Sequence, residues 1–224
     1  MDAVLQARDR DVALGSSAAA PGAIREFHGN LQDEWLAAMG SSQNEEITRL
    51  GRQFQVRNVA TFAAVVAIPS TACGLAVYNN EPDGGRSYVI DYVSAKNMVS
   101  TTLIAAQASM IALVGQVREA IPATSAALLK KTNGLGSVDS KARTIVSGTS
   151  LPAGTGIAAN WFPIGQSAVK YGLDITPGYS MEWEANGRVI CPPGRYFAVH
   201  VIANVVSETF QMEIFWHEQQ LTLG

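Results

Sequence analysis

The sequence predicts a mainly β protein: an antiparallel, jelly-roll-like β-sandwich at residues 51–224, preceded by an N-terminal arm of short helices and linker at residues 1–50. Two observations lead to this fold class. Apolar and polar residues alternate along several segments of the second part, as they do in half-buried strands. Residues 120–172 are also dense in glycine and proline, which excludes long helices and the alternating strand-helix pattern of an α/β domain.

The beginning of the arm combines a helical pattern with a linker. Residues 3–14 mix charged residues with Ala, Leu and Val at loosely helical spacing, and the Gly, Ser, Ala and Pro residues at 15–22 indicate a flexible or extended connection. A further short helix is predicted at residues 44–50, because Asn44 is a suitable N-cap and Gly51 a suitable stop.

Leu31, Trp35 and Met39 are spaced at i, i+4 and i+8, which predicts a helix with one apolar stripe. Such a stripe needs a partner surface. We therefore expect Leu31, Trp35 and Met39 to be the interface residues of the arm.

The sandwich begins with segments rich in Val, Phe, Ile and Tyr. Strands are predicted at residues 54–67, 74–78, 87–93 and 143–147, with a loop at 79–85. The segment at 99–117 permits a helix through its Ala, Leu and Met content. Its Ser-Thr-Thr start and its position between strands favour one long or two short strands.

The C-terminal part reads as strands joined by tight turns. Asn186-Gly187 suits a turn with positive φ at both central positions, so the flanking segments at 181–185 and 188–191 are predicted to form a hairpin. Pro192-Pro193-Gly194 then ends one strand and precedes the next, at residues 196–203.

The final strand has two distinct faces. Phe210, Met212, Ile214 and Trp216 are expected on the interior side, and Gln211, Glu213 and His217 on the other side. Trp216 is therefore predicted to be a core residue.

Composition limits the partners. Charged residues make up 16% of the chain, against roughly 25% in a typical soluble domain. This deficit predicts that other subunits cover part of the surface. The net charge of -3 argues against a nucleic-acid partner. The uncharged segments at 59–80 and 97–117 are too polar for membrane spans, and the charged first twenty residues do not form a cleavable export signal.

Motifs with a known chemistry are weakly supported. Gly154-Thr155-Gly156-Ile157-Ala158-Ala159 has the spacing of a dinucleotide-binding turn, but Pro163 leaves no room for the helix that must follow. Ser167-Ala168-Val169-Lys170 matches the S-x-x-K form of acylating hydrolases, which requires a helix that the neighbouring glycines do not favour.

Isolated polar residues give no clearer site. His200 and His217 would approach one another only if the last two strands pair, and Cys73 and Cys191 are expected to be separate buried thiols. The remaining acids that might supply a carboxylate pair have no fixed spacing; they are Asp174, Glu182, Glu184, Glu208, Glu213 and Glu218. We expect no catalytic residue, no cofactor and no metal.

The chain resembles small tailed-phage and prophage virion proteins in three segments: Gly-Leu-Ala-Val-Tyr-Asn at 74–79, Pro-Pro-Gly at 192–194, and Ile-Phe-Trp-His-Glu at 214–218. The resemblance covers roughly residues 52–220. It implies a capsid decoration protein or a head or tail accessory subunit, and it transfers no active site.

The leading hypothesis is thus a non-enzymatic virion subunit that is assembled in the host cytoplasm. It would self-associate, with a trimer favoured, and bind a major capsid or other virion protein through its arm. The alternative is a carbohydrate-binding or receptor-binding module of a tail or fibre, using exposed aromatic residues on loops such as residues 79–86.

Overall fold

The structure is a computed structural model. It describes residues 3–8, 24–29, 47–48, 50–100, 106–115, 129–134, 140–146, 151, 157–170, 179–206 and 208–221. The chain divides into two units, Met1–Leu50 and Gly51–Gly224. None of the described residues belongs to a helix with the length and hydrophobicity needed to cross a membrane.

The N-terminal unit contains a pair of antiparallel strands, β1 (Ala3–Arg8) and β2 (Ile24–Gly29). The helical prediction for residues 3–14 is therefore wrong over β1. A single turn or two of helix is marginal without tertiary support, whereas pairing with a second strand satisfies the backbone groups of both segments. Ile47 and Thr48 are helical, inside the helix predicted at 44–50. Leu31, Trp35 and Met39 lie outside the described residues.

The second unit consists almost entirely of strands. In chain order its elements are β3 (Gln53–Arg57), β4 (Phe62–Ala63), β5 (Leu75–Tyr78), β6 (Arg86–Ser100), β7 (Ala106–Val114), β8 (Lys130–Lys131), β9 (Arg143–Val146), α1 (Ile157–Asn160), β10 (Phe162–Lys170), β11 (Ser180–Glu184), β12 (Ile190–Cys191), β13 (Tyr196–Ala203) and β14 (Glu208–Gln220). Residues 99–117 thus contribute to two strands, the end of β6 and the whole of β7, as the Ser-Thr-Thr start and the position between strands favoured.

Two antiparallel sheets pack together as a sandwich, which confirms the predicted fold class. The front sheet has the strand order β11-β6-β14-β3-β8, with β12 added to β6 and β4 added to β14. The back sheet has the order β10-β7-β13-β5-β9. Since β13 and β14 belong to different sheets, the connection between them crosses the sandwich.

The core fills the space between the sheets, and β14 supplies its centre. Phe210, Met212, Ile214 and Trp216 are fully buried, as their alternation predicts. Trp216 packs on the ring of Phe54, with a centroid distance of 5.9 Å. The core position predicted for Trp216 is confirmed.

The back sheet is also covered on its outer face. Ile111 and Leu113 of β7 belong to a second apolar cluster that contains Leu151 and Trp161. The indole Nε1 of Trp161 donates a hydrogen bond of 2.9 Å to the carbonyl oxygen of Pro69. Part of the low charged fraction therefore reflects the central strands of this sheet, β5 and β13, which are buried on both faces within one subunit.

The turn at Asn186-Gly187 has the predicted conformation but a different role. Both residues have positive φ, 48° and 75°, and the N–H of Arg188 donates to the carbonyl oxygen of Ala185 over 2.9 Å. However, β11 and β12 both pair with β6 and not with each other. The predicted hairpin is therefore wrong: the turn is a loop inserted into one edge strand, which continues along the same partner.

Candidate functional site

The two enzyme-like motifs do not have the local structure that their chemistry requires. Ser167 lies in strand β10, where the one-turn helical geometry of an S-x-x-K site is absent, and its hydroxyl is 2.6 Å from that of Ser109. In the glycine motif, α1 has only four residues before β10 begins. Gly154 and Gly156 lie outside the described residues.

His200 and His217 are separated because their strands belong to different sheets. His200 is buried beside Phe62, and its Nδ1 accepts the N–H of Val201 over 2.8 Å. Burial lowers the pKa of His200 to about 4. This imidazole is therefore a neutral packing residue at physiological pH.

His217 is on the outer side of β14, opposite Gln53, but it is buried there. Its Nδ1 is 2.8 Å from the Oδ1 atom of Asp91, and the Nε2 of Gln53 donates to the other oxygen of that carboxylate over 3.1 Å. Thr132 in turn donates to the amide oxygen of Gln53 over 3.1 Å. These hydrogen bonds tie β6, β14 and β3 to the segment after β8, which is a structural role.

The buried acids of β14 are placed at its two ends. Glu208 accepts from the Nδ2 of Asn97 over 2.6 Å and from the hydroxyl of Tyr179 over 3.4 Å. Glu218 is ten residues further along the strand, so the two carboxylates are roughly 30 Å apart. They do not form a catalytic pair. Asp174 lies outside the described residues.

Glu218 belongs to a polar cluster with residues from two loops. Its carboxylate accepts from the hydroxyl of Ser140 over 2.5 Å and from Arg86 over 3.4 Å. Nearby, the ammonium group of Lys141 is 3.2 Å from the carboxylate of Glu81. Burial raises the pKa of Glu218. The hydrogen bonds from Ser140 and Arg86 favour the charged carboxylate and offset part of this increase.

Asn79 connects the segments around this end of the sandwich. Its side chain is fully buried; its Nδ2 donates to the carbonyl oxygens of Arg86 and Cys191, both over 2.9 Å, and its Oδ1 accepts the N–H of Glu81 over 3.0 Å. Its backbone carbonyl accepts the N–H of Gly194 over 2.8 Å. The loop at 79–86 is therefore held closely to the Pro-Pro-Gly turn, and it contains no aromatic residue for stacking on a sugar.

A polar groove lies on the outer face of the front sheet. Register places Glu182 of β11 and Glu213 of β14 on either side of Ser94 of β6, and Arg57 of β3 beyond Glu213. These four side chains form one row across four strands. The small side chain of Ser94 leaves the depression in the middle of this row.

Longer side chains of β6 border the depression. Tyr92 and Lys96 precede and follow Ser94 on the same face, each two residues away. The cavity has a volume of about 420 Å³, and Gln211 is also part of its lining. We call this site the front-sheet groove, and its lining residues are Arg57, Tyr92, Ser94, Lys96, Ser180, Glu182, Gln211, Met212 and Glu213.

The aromatic residue of the groove has a fixed ring and a perturbed hydroxyl. Tyr92 makes an edge-to-face contact with Phe215, with ring centroids 5.8 Å apart. Burial, followed by the charge and hydrogen bonding of Glu182, raises the pKa of Tyr92 to about 12. The protonated tyrosine hydroxyl is thus hydrogen-bonded to Glu182, which links the two side chains on this side of the groove.

Sequence reasoning named Glu182 and Glu213 but did not bring them together, and it assigned no role to Ser94, Lys96 or Arg57. The alternation of polar and apolar residues indicates which side chains of each strand lie on the outer face of the sheet. What was missing is the register between β11, β6, β14 and β3, which a single sequence does not determine.

Among the described residues, the cysteines and acidic residues form no second candidate site. Cys73 and Cys191 are both free and buried, as expected, and burial raises the pKa of Cys73 to about 12. Within the described parts of the chain, no three His, Cys, Asp or Glu residues are grouped as metal ligands. Comparison with protein-family models, curated proteins and solved structures returns no match.

Proposed function

We propose that the chain is a non-enzymatic structural subunit of a phage virion, most simply a capsid decoration or minor capsid protein that self-associates. The observation that supports this proposal is the convergence of the resembling segments. Asn79 ends the first of them and hydrogen-bonds Gly194 in the second, while Glu218 of the third contacts Arg86 at the end of the same loop. Segments far apart in sequence thus make one structural unit.

Exposed apolar side chains near the turn between β13 and β14 form a surface suited to self-association. Val66 and Ile68 are 61% and 53% exposed, and Val206 in the turn between β13 and β14 is 60% exposed. Val65 forms a bridge with Ile202, so Val66 is close to that turn. Exposed branched apolar residues grouped in this way are typical of protein contacts.

The full-length chain is expected to be an oligomer at micromolar concentration, most simply a trimer, because docking would remove these valines and Ile68 from water. Light scattering or native mass measurement gives the mass directly. The double variant Val66→Asp, Ile68→Asp should shift the population towards monomer, since each buried carboxylate would lack a partner.

Val169→Asp is the matched control, because Val169 is also exposed, at 44%, but lies on β10. It should leave the mass unchanged. A wild-type chain that is monomeric both alone and on isolated particles would contradict the proposal. So would a double variant that retains the wild-type mass.

Removal of residues 1–50 is expected to leave a folded sandwich, because the core between the two sheets is formed by residues of Gly51–Gly224. The truncated protein should melt cooperatively and lose its ability to co-sediment with particles that lack the subunit. Full-length protein added to the same particles is the control. Unfolding of the truncated chain would show that the arm is part of the core, and retained co-sedimentation would show that attachment does not use the arm.

A further inference from the structure

The front-sheet groove has the features of a ligand site and not of a flat sheet surface. Its volume of about 420 Å³ falls within the roughly 300–1,000 Å³ usual for small-molecule sites. A second depression of about 270 Å³ adjoins it and shares Arg57, Gln211 and Glu213. Together they extend the concave region from β11 to β8.

The groove offers both hydrogen-bond donors and acceptors around an aromatic ring. Arg57, Lys96 and Gln211 can donate, and the carboxylates of Glu182 and Glu213 can accept. The cations and anions nearly balance. That balance disfavours a nucleic acid, whose phosphates require an excess of positive charge.

An aromatic ring surrounded by hydrogen-bond donors and acceptors is a suitable binding site for a sugar ring. Its hydroxyl groups each donate and accept, and its C–H face packs on an aromatic ring. We propose that the front-sheet groove binds a neutral oligosaccharide, with one sugar ring over Ser94 against Tyr92 and its hydroxyls bound by Glu182 and Glu213. The Phe215 contact holds Tyr92 in place before binding, which lowers the entropy cost of ordering the ring. This inference is independent of self-association.

Titration of the full-length protein with maltohexaose, cellohexaose and mannohexaose, followed by calorimetry and amide chemical shifts, tests the proposal. At least one hexaose should bind at millimolar or lower concentration and shift the amides of Ser94, Glu182 and Glu213. Tyr92→Ala should weaken that binding about tenfold, and Tyr92→Phe, which keeps the ring, should weaken it less.

Ser94→Tyr should abolish binding because the larger side chain fills the depression. Ser167→Tyr, on strand β10 of the back sheet, is the matched control and should bind as the wild type does. The amide shifts of the wild type need no variant, so misfolding of Ser94→Tyr would not remove the test. No binding of any hexaose, or shifts confined to residues outside the groove, would overturn the proposal.

Discussion

The Trp216→Ala variant is expected to lose about 3–5 kcal/mol of unfolding free energy, the usual cost of truncating a buried large aromatic side chain. Trp216 is fully buried, and its ring packs between Phe54 of β3 and Tyr88 of β6, with centroid distances of 5.9 and 6.0 Å. Alanine would leave a cavity where three strands of the front sheet meet. Against a typical stability of roughly 5–15 kcal/mol, this loss is severe.

Thermal and urea denaturation followed by circular dichroism measure the effect. We expect a strongly lowered melting temperature or insoluble protein. Glu213→Ala is the control on the same strand, since Glu213 points to the outer face and its replacement should change stability little. An unchanged melting temperature for Trp216→Ala would contradict the core assignment and the packing described for β14.

The success of the prediction for β14 has a simple cause. A strand with one face in the core must alternate, and Phe210 to Trp216 alternates without interruption. Burial of His217 and Glu218 was not predictable in the same way. The register with β6 shifts between Phe215 and Trp216, and loop residues such as Ser140 cover the end of the strand.

Asn186-Gly187 shows the limit of local signals. The dipeptide determines the turn conformation, because both residues adopt positive φ. It does not determine what the flanking residues pair with. In the hairpin reading, β11 and β12 would bond each other, but β6 is fifteen residues long and offers partners to both. Non-local pairing therefore decided the topology.

Composition led to a similar ambiguity. The low charged fraction predicts that part of the surface is covered, and the apolar cluster around Leu113 and Trp161 shows that part of this cover is intramolecular. Val66 and Ile68 are a more specific sign of association, because they remain exposed on the folded subunit. A sequence pattern alone does not distinguish residues buried within one subunit from residues buried between subunits.

The Asn79→Ala variant is expected to be destabilised by several kcal/mol, although it removes only a small polar side chain. Three backbone groups would lose their partner: the carbonyl oxygens of Arg86 and Cys191 and the N–H of Glu81. Each buried group left unsatisfied costs about 1–3 kcal/mol. Entry of water would reduce this cost but would open the junction between the loop and the strand end.

Asn79→Asp separates the hydrogen bond that the Asn79 side chain accepts from the two that it donates. Its carboxylate can still accept the N–H of Glu81, but it cannot donate to Arg86 or Cys191, and its charge is buried. It should therefore be at least as unstable as Asn79→Ala while protecting the Glu81 amide better in hydrogen exchange. Asn80→Ala, at the half-buried next position, is the control and should melt near the wild-type temperature. If Asn79→Ala melts with the control, the three hydrogen bonds do not hold this end of the sandwich together, and the support that the converging segments give to the virion proposal is lost.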